Sequence, residues 1–151
     1  MTWTDWFTLI RSDVTRLQRA KARLEELHAD TGISTHYGAG GHGTVGSDKM
    51  AGRTARAVDL EAECFRLESR LKPAITEARS LLYGPAGVAQ MRSYVDADCI
   101  DGYYLQGLTW SKVARETAVE EKDYQAGKWC RMRALRALEW MDDNVTYSSA
   151  E

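Results

Sequence analysis

The sequence predicts an all-α protein in which a long, coiled-coil-like antiparallel helical hairpin is followed by a helix-turn-helix module. Apolar residues recur at alternating steps of three and four over two long stretches, and runs of β-branched residues are absent. Only Pro73 and Pro85 could interrupt a helix. We therefore predict two domains: the hairpin at residues 1–83, with a glycine-rich connection at 31–46, and the helix-turn-helix module at 86–144.

The first helix of the hairpin is predicted from about Thr4 to Ala29. Its apolar residues are Trp3, Trp6, Ile10, Val14, Leu17, Ala20, Leu24 and Leu27. Steps of three and four place them along one side, as in a helix that packs lengthwise against a partner. The charged residues between them are of both signs, which is typical of a solvated face.

The connection after the first helix is predicted at residues 31–46, where six of sixteen residues are glycine. Such a composition disfavours both helix and strand and lets the chain reverse. The glycine spacing matches neither GxGxxG nor GxxxxGK[ST], and no strand precedes it, so a phosphate site is not expected. His36 and His42 form only an isolated pair, and we expect them to be solvated instead of holding a metal ion.

The second helix is predicted to begin near Ser47, a suitable N-cap, and to continue through Pro73 with a kink. Its apolar stripe comprises Met50, Ala57, Leu60, Cys64, Leu67, Leu71, Ala74, Ala78 and Leu81. The second helix is predicted to end at the run Tyr83, Gly84 and Pro85. Because this stripe is longer than that of the first helix, the C-terminal module or a second copy of the chain must cover the excess. We expect a homodimer through the hairpin.

The C-terminal module begins with a short third helix, predicted from Ala86 to Val95. The next helix is predicted to stop at Gly107, since glycine tolerates the left-handed conformation common at a helix end. Thr109 can cap the helix that follows. Trp110, Val113 and Ala114 share one face of that helix.

The last helix is predicted at 124–141 and combines an apolar side with several arginines. Its apolar side consists of Cys130, Ala134, Ala137, Leu138 and Met141. A short apolar helix followed by an arginine-rich one is typical of a helix-turn-helix that reads DNA. The charge is less distinctive, because the whole chain carries a net charge of −2. Between Lys122 and Trp140, however, five cations stand against two acidic residues.

Several classes of protein are excluded by the rest of the composition. Cys64, Cys99 and Cys130 are isolated in apolar patterns, so we expect reduced core cysteines and neither a disulfide framework nor a zinc site. No nucleophile stands beside a recognisable base, so enzyme activity and a cofactor are not expected. The sequence shows no leader peptide and no stretch apolar enough for a bilayer, which predicts a cytoplasmic protein with no membrane partner.

Four stretches of the chain resemble, in the same order, a known group of proteins: Gly46–Ala51, Val58–Glu63, Tyr104–Ala114 and Arg136–Glu139. The group consists of small phage- and prophage-encoded regulators of Gram-positive bacteria whose C-terminal half is similar to region four of sigma factors. The resemblance covers most of the chain from Gly46 onward. It implies that the C-terminal helix-turn-helix binds double-stranded DNA and that the protein acts in phage gene expression inside the bacterial host.

The candidate DNA-binding residues lie on the last two helices. They are Thr109, Lys112, Gln125, Lys128, Arg131, Arg133 and Arg136. Gln125 and Lys128 are predicted near base edges, because the N-terminal part of a recognition helix enters the groove. Arg133 and Arg136 are predicted to hold phosphates, which fixes the register without reading sequence. The competing interpretation is a solvated cationic face.

Thr109 and Lys112 begin the penultimate helix, whose N-terminus could receive a backbone phosphate. The competing interpretation is that Thr109 only caps its own helix. A second feature is the nine-residue insertion between Val119 and Trp129, which is longer than the usual three- or four-residue turn of a helix-turn-helix. Its Glu120, Glu121 and Asp123 would approach DNA phosphates with the same sign of charge.

Three functions therefore stay open at the level of sequence. The first is a phage-type transcriptional regulator that also touches host RNA polymerase. The second is a packaging component similar to a small terminase subunit, in which a helix-turn-helix is joined to oligomerising helices. The third is a protein-interaction module that inhibits a host factor and uses the acidic stretch at 120–123.

Overall fold

The computed structural model describes residues 1–37, 43–117 and 123–146, and the side chains of 1–29, 51–117 and 125–146. Every regular element in these ranges is helical, which confirms the predicted all-α class. The elements are α1 (Trp3–Tyr37), α2 (Gly43–Tyr83), α3 (Val88–Met91), α4 (Tyr94–Ile100), a π-helical turn (Asp101–Leu105), α5 (Trp110–Glu116) and α6 (Asp123–Asn144). None of the helices in the described ranges is long and apolar enough to cross a membrane.

The chain forms two compact units, and the predicted division into domains at residues 83 and 86 stays a prediction. The first unit contains Met1–Val14 and Leu71–Glu151, and the second contains Thr15–Arg70. The long helices α1 and α2 each contribute residues to both units. The first unit thus takes its core from both ends of the sequence.

In the second unit, α1 and α2 are joined by charged pairs. These are Arg16 Nη2 with Glu63 Oε1 at 3.1 Å, Lys21 Nζ with Glu68 Oε1 at 2.7 Å, and His28 Nε2 with Glu61 Oε1 at 3.7 Å. Because the side chains are well exposed, each pair contributes less than about 1 kcal/mol. Ala20, Cys64 and Leu67 supply the buried apolar residues of this unit. The coiled-coil character of the hairpin stays a prediction.

The glycine-rich connection is shorter than predicted. Helix α1 continues to Tyr37 and α2 begins at Gly43, so both helices extend into the predicted connection at 31–46. Residues 38–42 lie outside the described ranges. The extension of α1 is physically reasonable because Gly32 is the only glycine between residues 31 and 37, and one glycine inside a helix costs about 1 kcal/mol.

Helix α2 continues through Pro73 and ends at Tyr83, as predicted. The predicted third helix at 86–95 is wrong, because two short helices take its place. Helix α3 has only four residues, and Ser93 then begins α4 by accepting a hydrogen bond from the Val95 N–H at 3.1 Å. A serine followed three residues later by Asp96 is a recognisable start of a helix.

The predicted junction before α5 is confirmed. Gly107 has φ 72°, a left-handed conformation, and the Leu108 N–H donates to the Gly102 carbonyl at 3.0 Å. Thr109 is the N-cap of α5, and its hydroxyl accepts from the Lys112 N–H at 3.4 Å. The junction therefore turns the chain sharply and starts the next helix within two residues.

Replacing Gly107 with alanine is expected to destabilise the chain by about 1–2 kcal/mol, since a side chain in the left-handed region costs about that much. The change would be measured as a shift of the urea unfolding midpoint at constant slope. Gly52→Ala in α2 is the matched control, because Gly52 has no close neighbour and helical alanine is favoured over glycine. Equal destabilisation by both substitutions would contradict the expectation.

The core of the first unit is built on α6. Cys130, Ala134, Ala137, Leu138 and Met141 are fully buried, as predicted, together with Val113 and Ala114 of α5. The N-terminal end of α1 packs into the same core through Phe7, which is fully buried, and whose ring lies 5.8 Å from that of Tyr104. Trp3 joins the two ends of the unit, with its backbone N–H donating to the Asp142 carboxylate at 2.7 Å.

Candidate nucleic-acid interface

The side of α6 opposite the core is open to solvent. It carries Gln125, Lys128, Met132 and Arg136, all of them exposed, and we call these four residues the α6 outer face. At 3.6 residues per turn they fall within about 80° of one another. Side chains that lie within an arc of this width can enter the same major groove. In the described part of the chain, neither Lys128 nor Arg136 forms an ion pair, so both charges face solvent.

Met132 at the centre of this face is a residue that the sequence prediction did not single out. It is 44% exposed, between Lys128 one turn before it and Arg136 one turn after it. The helical spacing that placed Lys128 and Arg136 together also places Met132 between them. The α6 outer face is therefore amphipathic, with a flexible apolar side chain flanked by two cations.

Arg131 lies at one edge of the α6 outer face and is exposed. Its charge acts on Tyr104 of the core: burial raises the pKa of the Tyr104 phenol, while the positive charges of Arg11 and Arg131 partly oppose that shift. Arg131 therefore contributes a positive potential beside the face without losing contact with solvent.

Arg133, at the opposite edge, is engaged inside the protein, which corrects its predicted role as a phosphate ligand. Its Nε donates to Oδ1 of Asp96, a carboxylate only 2% exposed, and its guanidinium lies 4.6 Å from the ring centre of Trp129. Asp96 also accepts from Arg92 Nε at 3.1 Å. The ion pair between Arg133 and Asp96 clamps α6 onto α4, because a buried carboxylate needs its cationic partners.

The start of α5 is held by an aromatic stack. The Trp110 ring lies parallel to that of Tyr103, with centres 3.9 Å apart, and the Arg11 guanidinium lies 3.6 Å from the Tyr103 ring centre. Arg11 also donates to the carbonyl oxygens of Tyr103 and Leu108. An N-terminal arginine therefore fixes the loop that precedes α5.

Of the two candidate residues on α5, Lys112 is the one with a free functional group. The Thr109 hydroxyl is occupied as the N-cap, as the competing interpretation expected, whereas Lys112 is exposed. Helix α5 has only seven residues, so its dipole is small. We therefore assign only the charge of Lys112 to this part of the candidate interface.

Helices α5 and α6 pack closely where α6 begins. Gly127 is buried, and a Cβ placed on it would lie 3.4 Å from the Ser111 nitrogen and the Trp110 carbonyl carbon. Thr117 at the other end of α5 lies 3.8 Å from the Cys130 sulfur. This close contact positions Gln125 and Lys128 relative to Lys112.

The acidic stretch predicted at 120–123 falls outside the described ranges. Residues 118–122 are not described, and of Asp123 only its place in α6 is. The turn of the predicted helix-turn-helix lies in this stretch, so that motif stays a prediction. The distance of Glu120 and Glu121 from the α6 outer face is likewise not assigned.

The three cysteines are buried, as the sequence predicted. Burial raises the pKa of the Cys99 thiol strongly, and the neighbouring Cys130 adds to the shift. The Cys99 thiol is therefore protonated, and both side chains are buried as small apolar residues of the core. Among the described residues, no group of three or more His, Cys, Asp or Glu side chains could hold a metal ion.

Together, the fold and the surface define an all-α chain whose C-terminal helix presents an amphipathic cationic face to solvent. Comparison of the chain with protein-family models, with curated proteins and with solved structures finds no match. The function must therefore be argued from the α6 outer face itself.

Proposed function

We propose that the protein is a phage-type DNA-binding transcriptional regulator that reads duplex DNA with α6. The observation that carries the proposal is the α6 outer face, where Gln125, Lys128 and Arg136 share one exposed side of a 22-residue helix. A helix with one exposed polar side can enter a major groove. The resemblance to regulators with a sigma-region-four-like module supports the same function.

In this proposal different side chains of α6 contact the bases and the phosphates. Gln125 and Lys128 lie in the first two turns and would meet base edges, where glutamine pairs with adenine and lysine with guanine. Met132 is apolar and can contact the methyl group of a thymine. Arg131 and Arg136 would hold phosphates on either side of the groove. Arg133 is left out because it is engaged by Asp96.

The proposal also includes partners. A regulator that resembles sigma region four would act by contacting host RNA polymerase while bound to DNA, and a dimer of the chain would read two half-sites. The modest cationic surplus of α6 supports this arrangement, because few phosphate contacts per chain give weak binding unless two chains act together.

The test is to replace Lys128 and Arg136 with alanine and to measure binding of a labelled mixed-sequence duplex over a range of salt concentrations. We expect weaker binding and a salt dependence lowered by about two counterions, since two cations that would face the DNA are lost. The matched control is Arg19→Ala with Arg23→Ala, which removes two exposed cations from α1. An unchanged slope in the Lys128 and Arg136 variant would reject the role of α6.

One observation favours a second candidate, the protein-interaction module. Exposed methionine is common on surfaces that bind helices or apolar grooves of other proteins, and Met132 occupies the centre of the α6 outer face. Glu139 continues the same side of α6 with a negative charge, which suits a protein better than a phosphate backbone. Failure of the unmodified chain to bind any duplex at low salt would favour this candidate.

A further inference from the structure

Helix α2 carries a second apolar stripe that the predicted seam of the hairpin does not include. It consists of Ala51, Ala55, Val58, Ala62 and Phe65, and we call it the α2 outer stripe. All five residues are exposed, and the two large ones, Val58 and Phe65, are 57% and 71% exposed. The alternating steps of four and three residues are those of a heptad repeat. Val58 and Phe65 occupy its d positions, and Ala62 between them occupies an a position.

This stripe lies on the opposite side of the helix from the residues that α2 buries. Cys64 and Leu67 are buried in the second unit, and Leu60 is half-buried. At 3.6 residues per turn, the α2 outer stripe is about 170° from that buried side. Helix α2 therefore has a coiled-coil seam that is left in water, and such a surface marks an interaction site.

The charges along the two edges of the α2 outer stripe indicate what covers it. With the stripe at a and d, Glu61 occupies a g position and Arg66 the e position five residues later. In a parallel two-stranded coiled coil, each g residue faces that e residue on the other helix. Glu61 of each chain would face Arg66 of the other, and two-fold symmetry would make two such pairs. Thr54 and Asp59 are related in the same way, so no like charges would meet along the stripe.

Both members of this charge pair are available to a second chain. Arg66 is exposed and forms no ion pair with the part of the chain that the structure describes. Glu61 is also exposed, and its Oε1 lies 3.7 Å from His28 Nε2, which is a loose contact. A carboxylate has two oxygens and can accept several hydrogen bonds, so Glu61 can also accept from an arginine of a second copy.

An antiparallel second copy fits these charges less well, because each edge of the stripe then meets the same edge of the other helix. If the two stripes overlap along their whole length, around Val58, Asp59 lies beside its own copy. If the helices shift so that Asp59 meets Arg66, Glu61 lies beside its own copy and the stripes overlap only over 58–66. Like charges disfavour both registers. The parallel arrangement avoids these contacts.

We propose that the α2 outer stripe forms a parallel two-stranded coiled coil with the same stripe of a second copy of the chain. Val58 and Phe65 of each chain pack beside their own copies at the two-fold axis. Residues 51–66 span about 24 Å of helix, so the contact is small and the dimer dissociates on dilution. The dimer is tested without DNA, so its failure is distinguishable from a failure of α6 to bind a duplex.

The charge pairing is tested by sedimentation velocity of the full chain over a series of concentrations. Glu61→Arg and Arg66→Glu, each alone, are expected to weaken the dimer by about tenfold or more, because each creates two like-charge contacts. The combined variant Glu61→Arg with Arg66→Glu restores opposite charges and should dimerise like the unmodified chain. Both positions are exposed, and circular dichroism would verify that every variant stays folded.

The matched control is Asp59→Lys, a charge reversal on the same edge of the stripe as Arg66. It faces the uncharged Thr54 of the other chain and should weaken the dimer by less than about threefold. Three outcomes would overturn the proposal: a chain that stays monomeric at every concentration, single variants at 61 and 66 that dimerise normally, and a combined variant that does not recover. The first of these would assign the α2 outer stripe to a different protein.

The direction of packing is tested by Ala55→Cys and Ala62→Cys, each alone, with oxidised glutathione as the oxidant. In the parallel pair each introduced thiol lies beside its own copy, so both variants should form a disulfide between chains and release two equivalents of reduced glutathione. The native cysteines are buried and should not contribute. Arg56→Cys is the matched control, because position 56 is exposed but lies about 140° from the stripe and should not cross-link.

An antiparallel pair would give a different result. Positions 55 and 62 are seven residues apart, so an axis near one of them places the other about 21 Å from its copy. At most one of the two variants could then cross-link, which would contradict the parallel direction. Equal cross-linking of Arg56→Cys would show that the disulfides form by random collision, and this too would overturn the proposal.

Discussion

Phe7→Ala is expected to destabilise the first unit by about 4 kcal/mol, because truncating a fully buried phenylalanine costs about 3–5 kcal/mol. The Phe7 ring contacts Trp6 edge-on at 5.0 Å and Tyr104 at 5.8 Å, so the cavity would open between α1 and the π-helical turn. The measurement is urea unfolding followed by tryptophan fluorescence. A loss of this size is a large part of the stability of an ordinary domain.

The matched control for this prediction is Leu9→Ala, two positions along the same helix. Leu9 is well exposed, so its truncation should change the stability by less than about 0.5 kcal/mol. If Phe7→Ala proved as mild as Leu9→Ala, the N-terminal residues would not belong to the core of the C-terminal helices. The experiment therefore tests the composition of the first unit as well as one side chain.

Arg133→Met is expected to destabilise the chain by about 2 kcal/mol and to leave the salt dependence of duplex binding unchanged. Methionine keeps an apolar stem beside Trp129 but leaves the buried Asp96 carboxylate with Arg92 alone. Removing one partner of a buried pair costs about 3–5 kcal/mol, and the remaining arginine reduces that cost. Thermal unfolding and the salt titration together separate a structural role from a phosphate contact.

The control for Arg133 is Arg136→Met, one turn away on the exposed side. It should change stability by less than about 0.5 kcal/mol yet lower the salt dependence of duplex binding. A double-mutant cycle with Asp96→Asn adds a second check, since side chains in direct contact are not additive. Strictly additive effects of Asp96→Asn and Arg133→Met would contradict the assignment of the clamp.

Features that depend on local sequence were predictable. The buried side of α6 follows from the spacing of Cys130, Ala134 and Met141, and the turn before α5 follows from the conformational freedom of Gly107 and the hydroxyl of Thr109. Each of these rests on residues within a few positions of one another. The same spacing placed Lys128 and Arg136 on one exposed side of α6.

Features that depend on residues far apart in sequence were not predictable. Arg133 looked like another surface cation because Asp96, its partner, is 37 positions away. In the same way, the sequence places Arg11 on a solvated face. In the structure its guanidinium donates hydrogen bonds to the carbonyl oxygens of Tyr103 and Leu108. A pattern of charges along one helix cannot show which of them a distant carboxylate or carbonyl will engage.

The hydrogen bonds of Trp3 have a consequence for how the protein is made. Its indole N–H donates to the Val145 carbonyl at 3.0 Å, across 142 positions of sequence. During synthesis the ribosome must therefore complete α6 before this hydrogen bond of Trp3 can form. Contacts of such long sequence separation also form slowly. The nascent chain therefore carries Trp3 without these hydrogen-bond partners until translation is nearly complete, and a premature stop codon within α6 removes both of them.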